Sequence, residues 1–492
     1  MPIVRLERAR HALYYPTRCS ATPRPAAPRR HHLLVSPTPH SGTFVTSWRH
    51  GIQQKEGSIT SNPAEPVAAA FTPEGQELLS QLTPDQAATK KLATELTLSL
   101  RKAGHPAGLV SAVVHQLALR FKARAKFGPF AERMILTQAG LEQATRLPVA
   151  ARHAGRMRDA GVGHVADLGC GLGADAMAMA ALGIDVTAVE ADEVTAAAAT
   201  VNTAPFPNVT VVHGLAEEAD ISAADAVWMD PARRETTTSG TRRRWNPEAF
   251  SPPLSFVETL ADRGLPMGVK LGPGIPHESI PETAEAQWVE HNGSVVEATL
   301  WFNEARRAQV RRAALVLKDD QTAELTSSAA HPDLDSDALA LGEDVPIIET
   351  DSNLSLPVLS DTATYGTYLH EPAGAVIRAG LVADLAVQLE ATGLDPHIAY
   401  LTGDTASATP LANSYRIDMV MPYKIKALRS WVRDNRIGQL TIKKRGLDVT
   451  PEELRTILLG KGHGDGSATL VLTRIGKQRI VFGCELIPGS AV

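Results

Sequence analysis

The chain has 492 residues, 43% of them apolar, and a net charge of −5. That length suits about three domains and a sizeable core, and the charge gives no global reason to expect a polyanionic partner. No run of 18 apolar residues occurs, so no membrane-spanning helix is expected. The three cysteines, Cys19, Cys170 and Cys484, have the spacing of neither a disulfide framework nor a zinc site, so no metal is expected and a reducing cytoplasm is the natural setting.

Residues 1–65 are rich in Arg, His, Pro, Ser and Thr and lack apolar periodicity, which predicts a disordered basic extension. An organelle-targeting segment, a basic RNA-contacting arm and an upstream start codon are the other readings, and the sequence leaves open whether this segment is present in the mature protein. A helical domain is expected over 70–150. Thr72-Pro73-Glu74 and Thr83-Pro84-Asp85 read as helix starts, with a hydroxyl cap, proline at the first helical position and an early acid. Leu92 to Leu100 and Ser111 to Lys126 carry helical apolar spacing.

Residues 151–318 alternate strands and helices, the pattern of a parallel, doubly wound sheet. Strands are predicted near 164–168, 185–190, 208–213, 225–229, 266–271, 294–302 and 308–317, with helices near 174–182, 192–203 and 248–262. The last two strands have no helix between them and should form an antiparallel hairpin at one edge. The first strand ends in Val165-Ala166-Asp167-Leu168-Gly169-Cys170-Gly171-Leu172-Gly173, an apolar run, an acid, and glycines that let backbone approach a ligand before a helix begins. The second strand ends in Glu190, about twenty residues on, where a carboxylate can receive ribose hydroxyls. The fourth runs into Asp230-Pro231-Ala232-Arg233-Arg234, followed by Arg242, Arg243, Arg244 and Trp245. Asp230 reads as an acceptor for a substrate amine or as a turn-capping acid. The arginines read as phosphate contacts or as a solvated loop. Lys270 ends the fifth strand, either as a pocket wall or as a solvent-facing lysine.

Residues 319–362 are acidic and read as a linker. From 363 to 492 an α+β domain is expected, with helices near 374–392, 424–435 and 451–459 and strands near 397–401, 415–421, 438–443, 468–474 and 478–484. Between Met419 and Ile480 there are 13 lysines and arginines against 5 acids, including Lys443, Lys444 and Arg445 at a strand end. Such a face suits phosphates. A solubilising surface, or one that docks on the acidic linker, is the alternative.

The Asp-x-Gly-x-Gly-x-Gly loop with Asp230-Pro231 resembles class I S-adenosylmethionine-dependent methyltransferases. Three stretches together resemble one bacterial family of these enzymes with a THUMP-like domain at the C-terminus: Leu136-Thr137-Gln138-Ala139-Gly140-Leu141-Glu142-Gln143-Ala144-Thr145-Arg146; the Asp167 loop with Asp230 to Arg234; and Leu394 to Thr402 with Leu440 to Gly446. The resemblance spans roughly 70–485. It implies a Rossmann-like sheet between an N-terminal helical domain and a C-terminal α+β domain, with S-adenosylmethionine as cofactor. Asp167, Gly169, Gly171, Gly173 and Glu190 would hold that cofactor, with Thr137 lying over it. Asp230 and the Pro231 carbonyl would orient an amine, although Arg233 stands where related amine methyltransferases carry a stacking aromatic. The favoured substrate is RNA, tRNA or rRNA, methylated at a base nitrogen. Arg233, Arg234, Arg242, Arg243, Lys270, Lys443, Lys444 and Arg445 are its candidate contacts. The rivals are a protein or small-molecule methyltransferase and an RNA-binding protein with a non-catalytic fold. The oligomeric state is not legible.

Overall fold

In the computed structural model, residues 67–233, 248, 250–330, 356, 358–359, 364–460 and 464–488 are described. The first helix starts where its cap predicts, and the second starts at a threonine that the sequence reading did not single out. Thr72 Oγ1 accepts from Gly75 N at 3.1 Å to open α1 (Pro73–Ser80), and Thr89 Oγ1 accepts from Leu92 N at 3.3 Å to open α2 (Lys90–Lys102). The Thr83-Pro84 start yields a single 3-10 turn, Pro84–Ala87, closed by a capping box in which Gln86 Oε1 accepts from Thr83 N at 2.8 Å. Helix α3 (Ala107–Phe127) overruns its predicted span at both ends, with Val113, Leu117 and Ala123 fully buried along it. Helices α4 (Gln138–Gln143) and α5 (Leu147–Asp159) lead into the sheet.

Among the described residues that sheet has nine strands: β1 His164–Leu168, β2 Asp185–Glu190, β3 Val209–His213, β4 Ala226–Met229, β5 Met267–Leu271, β6 Glu285–His291, β7 Ser294–Phe302, β8 Arg312–Lys318 and β9 Gln321–Ser327. The order is β9-β8-β6-β7-β5-β4-β1-β2-β3. β1 to β5 are parallel and β7 runs antiparallel between β5 and β6. Helices α6 (Ala174–Ala181), α7 (Glu193–Thr203) and α8 (Leu254–Ala261) connect the parallel strands.

The expected hairpin of 294–302 with 308–317 does not form. An unpredicted strand, β6, lies between them: it pairs with β7 as a hairpin and with β8 in parallel. Its sequence, Glu-Ala-Gln-Trp-Val-Glu-His, reads as half-polar, yet Glu285, Gln287 and Glu290 are all buried. The compensating charges lie far off in sequence: Arg307 Nη2 reaches Glu285 at 2.6 Å, and Arg156 binds the same carboxylate. Likewise the start of the supposed linker is β9, paired antiparallel with β8.

The sheet's two faces are covered differently. Ala154 and Met157 of α5 and Ala176 and Met179 of α6 pack on Val165, Val186 and Trp228. On the opposite face, α8 is joined by α9 (Gly374–Arg378) and α10 (Val382–Gln388), which come from beyond the acidic stretch. The single helix expected over 374–392 is broken at Gly380, whose φ of 64° ends α9, and it closes before β11 (Thr392–Asp395). Buried Arg312 donates from Nη1 to the carbonyls of Ala379 and Gly380 at 3.1 and 2.7 Å, and Glu290 accepts from Ala375 N at 2.9 Å. These ties lock α9 to β6 and β8.

A second sheet holds β10 (Tyr368–Pro372), β11, β12 (Ile398–Gly403), β13 (Ala412–Pro422), β14 (Ile437–Lys444), β15 (Gly466–Ile475) and β16 (Gln478–Leu486), in the order β11-β12-β10-β13-β16-β15-β14. Helices α11 (Ile425–Asp434) and α12 (Pro451–Leu459) cover one face through Leu428, Val432, Leu454 and Leu458.

Candidate active site

The carboxyl ends of β1, β2, β4 and β5 converge, and the sequence-predicted residues converge with them. The glycine loop is tied to β2 by Gly169 N and Cys170 N, which both donate to Val189 O at 2.9 and 3.0 Å. Gly169 has φ 89°, and a Cβ there would stand 2.8 Å from the Asp230 carbonyl oxygen, so the β1 and β4 loops can meet only through a glycine. Gly171, with φ 55°, has nothing within 4 Å of a would-be Cβ, so open space lies beside the loop. Gly173 is the N-cap of α6. Glu190 steadies the loop: its Oε2 accepts from Gly171 N at 3.0 Å and its Oε1 from Asp192 N at 2.9 Å. Each oxygen retains a lone pair for a hydroxyl donor.

Asp167 is 1% exposed, and neither carboxylate oxygen has a hydrogen-bond partner among the described residues. Burial, and then the charges of Asp175, Asp230 and Glu190, raise its pKa well above the usual carboxylate range. A buried acid without a donor is costly. An incoming ammonium would satisfy both oxygens at once. Orphan acid, open glycine loop and half-used Glu190 therefore fit a cofactor that carries an amino group and a ribose.

Asp230 follows β4, with Pro231 buried behind it. Lys270 proves to be neither solvent-facing nor a plain wall: it is 9% exposed, and its ammonium lies 2.5 Å from Asp230 Oδ2. Burial works against the Lys270 charge, but Asp230, Glu297 and Asp175 outweigh it and raise the pKa. For Asp230, burial raises the pKa and Lys270 opposes the rise. Oδ1 makes no hydrogen bond to the described residues, and the side chain is 30% exposed.

The same ammonium also donates to Gln143 O at 3.2 Å and Thr145 Oγ1 at 3.1 Å, which draws the segment after α4 onto the site. Lys126 holds that segment too, donating to the carbonyls of Leu141, Glu142 and Ala144 at 2.7–2.8 Å. Burial lowers its pKa to about 8. Thr137 is buried, and its hydroxyl caps α4 by accepting from Gly140 N at 3.0 Å. Gly140 lies against Leu172 of the glycine loop, and Asn202 Nδ2 donates to both Ile135 O and Leu172 O. The segment before β1 thus rests on the cofactor loop.

Beneath the site lies a charge cluster that the sequence reading missed. His153, 1% exposed, has Nδ1 2.8 Å from Asp175 Oδ1 and Nε2 2.7 Å from Glu297 Oε1, and its ring lies against Trp228 at 4.3 Å, tilted by 31°. Burial disfavours its charge, but Glu297 and Asp175 more than offset that and raise its pKa to about 9. The available signal was an acid in an otherwise apolar strand, Glu297 in Ser-Val-Val-Glu-Ala-Thr-Leu-Trp-Phe, since such an acid needs a buried cation.

The remaining candidates are dispersed. Arg233 lies in a two-residue ribbon with Phe250. Arg234, Arg242 and Arg243 fall outside the described residues. Lys443, Lys444 and Arg445 end β14 in the second sheet. Lys443 pairs with Glu371 at 2.5 Å, Arg445 lies over the Tyr400 ring at 5.5 Å, and Lys444 is exposed. Lys424, Lys426, Arg429, Arg433 and Arg436 are exposed on and around α11. Among the described residues no group of acids, histidines and cysteines could hold a metal ion, and no helix is long and apolar enough to cross a membrane.

Residues 412–486 match the family model described as THUMP domain-like, and residues 64–123 match a domain of unknown function (DUF8688). Two strains of Mycobacterium tuberculosis carry an uncharacterized S-adenosylmethionine-dependent methyltransferase that is 29% identical to this chain over 383 residues, covering 74% of this chain and 92% of the relative. The crystal structure of a protein from Porphyromonas gingivalis W83, described as a methyltransferase, shares the fold with a TM-score of 0.60 at 19% identity, over 87% of this chain and 99% of that one. With the strand order, the glycine loop and the Asp167 site already in place, the chain is an S-adenosylmethionine-dependent methyltransferase similar to these proteins, with a THUMP-like domain at its C-terminus.

Proposed function

We propose that the chain methylates a base nitrogen in RNA, in a cytoplasmic setting. The observation that carries the chemistry is Asp230: Lys270 fixes one oxygen, the other takes no hydrogen bond from the described residues, and the Asp230 backbone carbonyl abuts Gly169 of the glycine loop. S-adenosylmethionine supplies the electrophile, a sulfonium methyl whose sulfur keeps the bonding pair as the nitrogen–carbon bond forms. Asp167 would take the cofactor's ammonium, Glu190 its ribose hydroxyls, and Gly169, Gly171 and Gly173 would let the backbone come close. Asp230 Oδ1 and the Pro231 carbonyl would accept from the two hydrogens of an amine and so aim its lone pair at the methyl. That alignment accounts for most of what the reaction requires. The surplus proton then leaves the methylated nitrogen for solvent past the ionised Asp230.

RNA is supported by the THUMP-like domain, by the family resemblance, and by the exposed cations of α11 within an acidic chain. Such cations give affinity without base specificity. Arg233, Arg234, Arg242 and Arg243 would add contacts to the RNA backbone. The test is tritiated methyl transfer from S-adenosylmethionine into an extract of host cells lacking this protein, with Asp230→Ala alongside. Nuclease-sensitive label that needs Asp230 is the expected result. Label confined to protein or small molecules would assign a different substrate, and no label despite measurable cofactor binding would point to a non-catalytic role.

A further inference from the structure

Helix α3 of the N-terminal helical domain lies along the stretch that leads to β1, and its polar side chains hold that stretch by its backbone. Gln116, fully buried, donates from Nε2 to Leu136 O at 2.7 Å and accepts from Leu136 N at 3.0 Å. Buried Arg120 donates from Nε to Met134 O at 2.8 Å. Lys126, in the last turn of α3, reaches further along: its ammonium donates to Leu141 O, Glu142 O and Ala144 O at 2.8, 2.7 and 2.8 Å. Those carbonyls follow the last backbone bond of α4, Ala144 N to Gly140 O, so no N–H of the helix serves them. The carbonyl that Lys126 leaves out, Gln143 O, accepts from Lys270 Nζ at 3.2 Å. Four successive carbonyls are thus divided between two lysines, and positive charge at a helix C-terminus is favourable in its own right.

We propose that Lys126 is a positioning residue for Asp230, acting through the end of α4 and Lys270. The inference rests on the reading of Asp230 as the group that receives the amine. Lys270 has three hydrogens, directed to Asp230 Oδ2, Gln143 O and Thr145 Oγ1. Two of its three partners therefore belong to residues 143–145, and the place of that short stretch decides where the ammonium sits. Lys126 grips the carbonyls on either side of Gln143 O, those of Glu142 and Ala144, and so keeps Gln143 O turned toward Lys270. With methionine at position 126 the stretch keeps its covalent path but loses three charge-assisted bonds. Gln143 O and Thr145 Oγ1 are then free to shift, Lys270 shifts with them, and Asp230 Oδ2 loses its fixed partner. The start of α4 keeps its own ties: Gly140 N donates to Thr137 Oγ1, and Gly140 packs on Leu172 of the glycine loop. The cofactor side of the segment is therefore spared. A role in the reaction falls to the N-terminal helical domain, whose α3 supports the active site of a sheet to which it does not belong.

A double-mutant cycle on the full chain tests this. The readouts are the initial rate of tritium transfer to total RNA from host cells lacking the protein, at saturating RNA and S-adenosylmethionine, and the calorimetric affinity for S-adenosylhomocysteine. Lys126→Met should lower the rate about tenfold and leave the affinity within about twofold, since a misplaced group at the reacting centre costs rate and not cofactor binding. Lys270→Met should lose more, about a hundredfold. Adding Lys126→Met to Lys270→Met should change the rate by no more than about twofold, because the route by which Lys126 acts is already gone. If Lys126→Met does not fold, Lys126→Gln takes its place under the same criteria. A wild-type rate in the Lys126 variant, a loss of S-adenosylhomocysteine affinity that matches the loss of rate, or losses that multiply in the double variant would each overturn the proposal. If the wild-type chain labels no RNA, or Asp230→Ala keeps the rate, the reading of Asp230 fails first and the positioning role with it.

Discussion

The methyltransferase sheet and the THUMP-like domain use charge in opposite ways. Around the active site the charges are buried and matched: His153 between Asp175 and Glu297, Lys270 on Asp230, Arg156 and Arg307 on Glu285. On α11 and after it, Lys424, Lys426, Arg429, Arg433 and Arg436 stand in solvent, and the neighbouring acids Asp434 and Asp465 are exposed too. A buried pair fixes geometry, because breaking it strands a charge in low dielectric. An exposed cation fixes little, but it attracts phosphates at a range set by salt. On the proposed reading one region serves accuracy and the other affinity, and substitutions should separate the two.

The largest effect belongs to the matched region. Asp230→Ala should reduce methyl transfer by roughly a thousandfold, as expected for a preorganised charge at the reacting centre. S-adenosylhomocysteine affinity by calorimetry should stay within about threefold, and a comparable loss of affinity would mean that Asp230 belongs to the cofactor site instead. Next, His153→Phe should destabilise the chain by about 3–5 kcal/mol, since it leaves Asp175 and Glu297 facing each other without a cation. Chemical denaturation measures this, and a change under about 1 kcal/mol would contradict the pairing.

The same histidine gives a pH signature. Its folded pKa of about 9 lies above the unfolded 6.5, so its contribution is complete below pH 6.5 and is lost as pH rises through 9. Over that window the stability from this one group should fall by about 3 kcal/mol. The difference between wild type and His153→Phe in a pH series isolates it; parallel curves would argue against a charged His153.

The exposed region should respond in salt dependence and not in chemistry. Replacing Lys424, Arg429 and Arg433 together with glutamine should flatten the slope of log affinity for RNA against log salt by about 2–3, at roughly 0.7–0.9 per phosphate contact. The rate at saturating RNA should not move. Equal salt slopes in both proteins would put the RNA elsewhere. The smallest effect is at Thr137. Thr137→Ala removes a helix cap worth about 1 kcal/mol of stability; a much larger loss of cofactor affinity than of stability would give the hydroxyl a second role.

Much of the site was legible because its signals are local. Gly169 beside Asp230, Glu190 about twenty residues downstream and Asp230-Pro231 at a strand end are set by short-range backbone needs, and they arrive where the spacing says. The helix cap at Thr72 is local in the same sense. What escaped is non-local. β6 was invisible because Glu285, Gln287 and Glu290 look solvated until Arg307, Arg156 and Ala375 are brought to them by the fold. His153 carried no local signal until Asp175 and Glu297 closed on it. Lys270 left two readings open because its partner lies forty residues away on another strand. The basic count of the C-terminal region, in turn, did not reveal that Lys443 and Arg445 are engaged within their own domain while the cations on and around α11 are exposed, Arg433 and Arg436 in solvent-facing pairs with Asp434 and Asp465.

Between β5 and β6 the chain makes only one 3-10 turn, His277–Ser279, and the vacant sheet face is filled by α9 and α10 from the far side of the acidic stretch. The catalytic module is therefore not contiguous in the gene. A fragment ending near residue 330 would lack the lid over Ala286, Trp288, Ala314 and Val316 and would present a bare apolar sheet to water, whereas a cut just before Ala412 would leave that lid in place. Shuffling or excising the THUMP-like part thus has to respect a seam that lies inside the apparent C-terminal domain, and any exchange of substrate-recruiting modules in evolution would have had to cross at the same point.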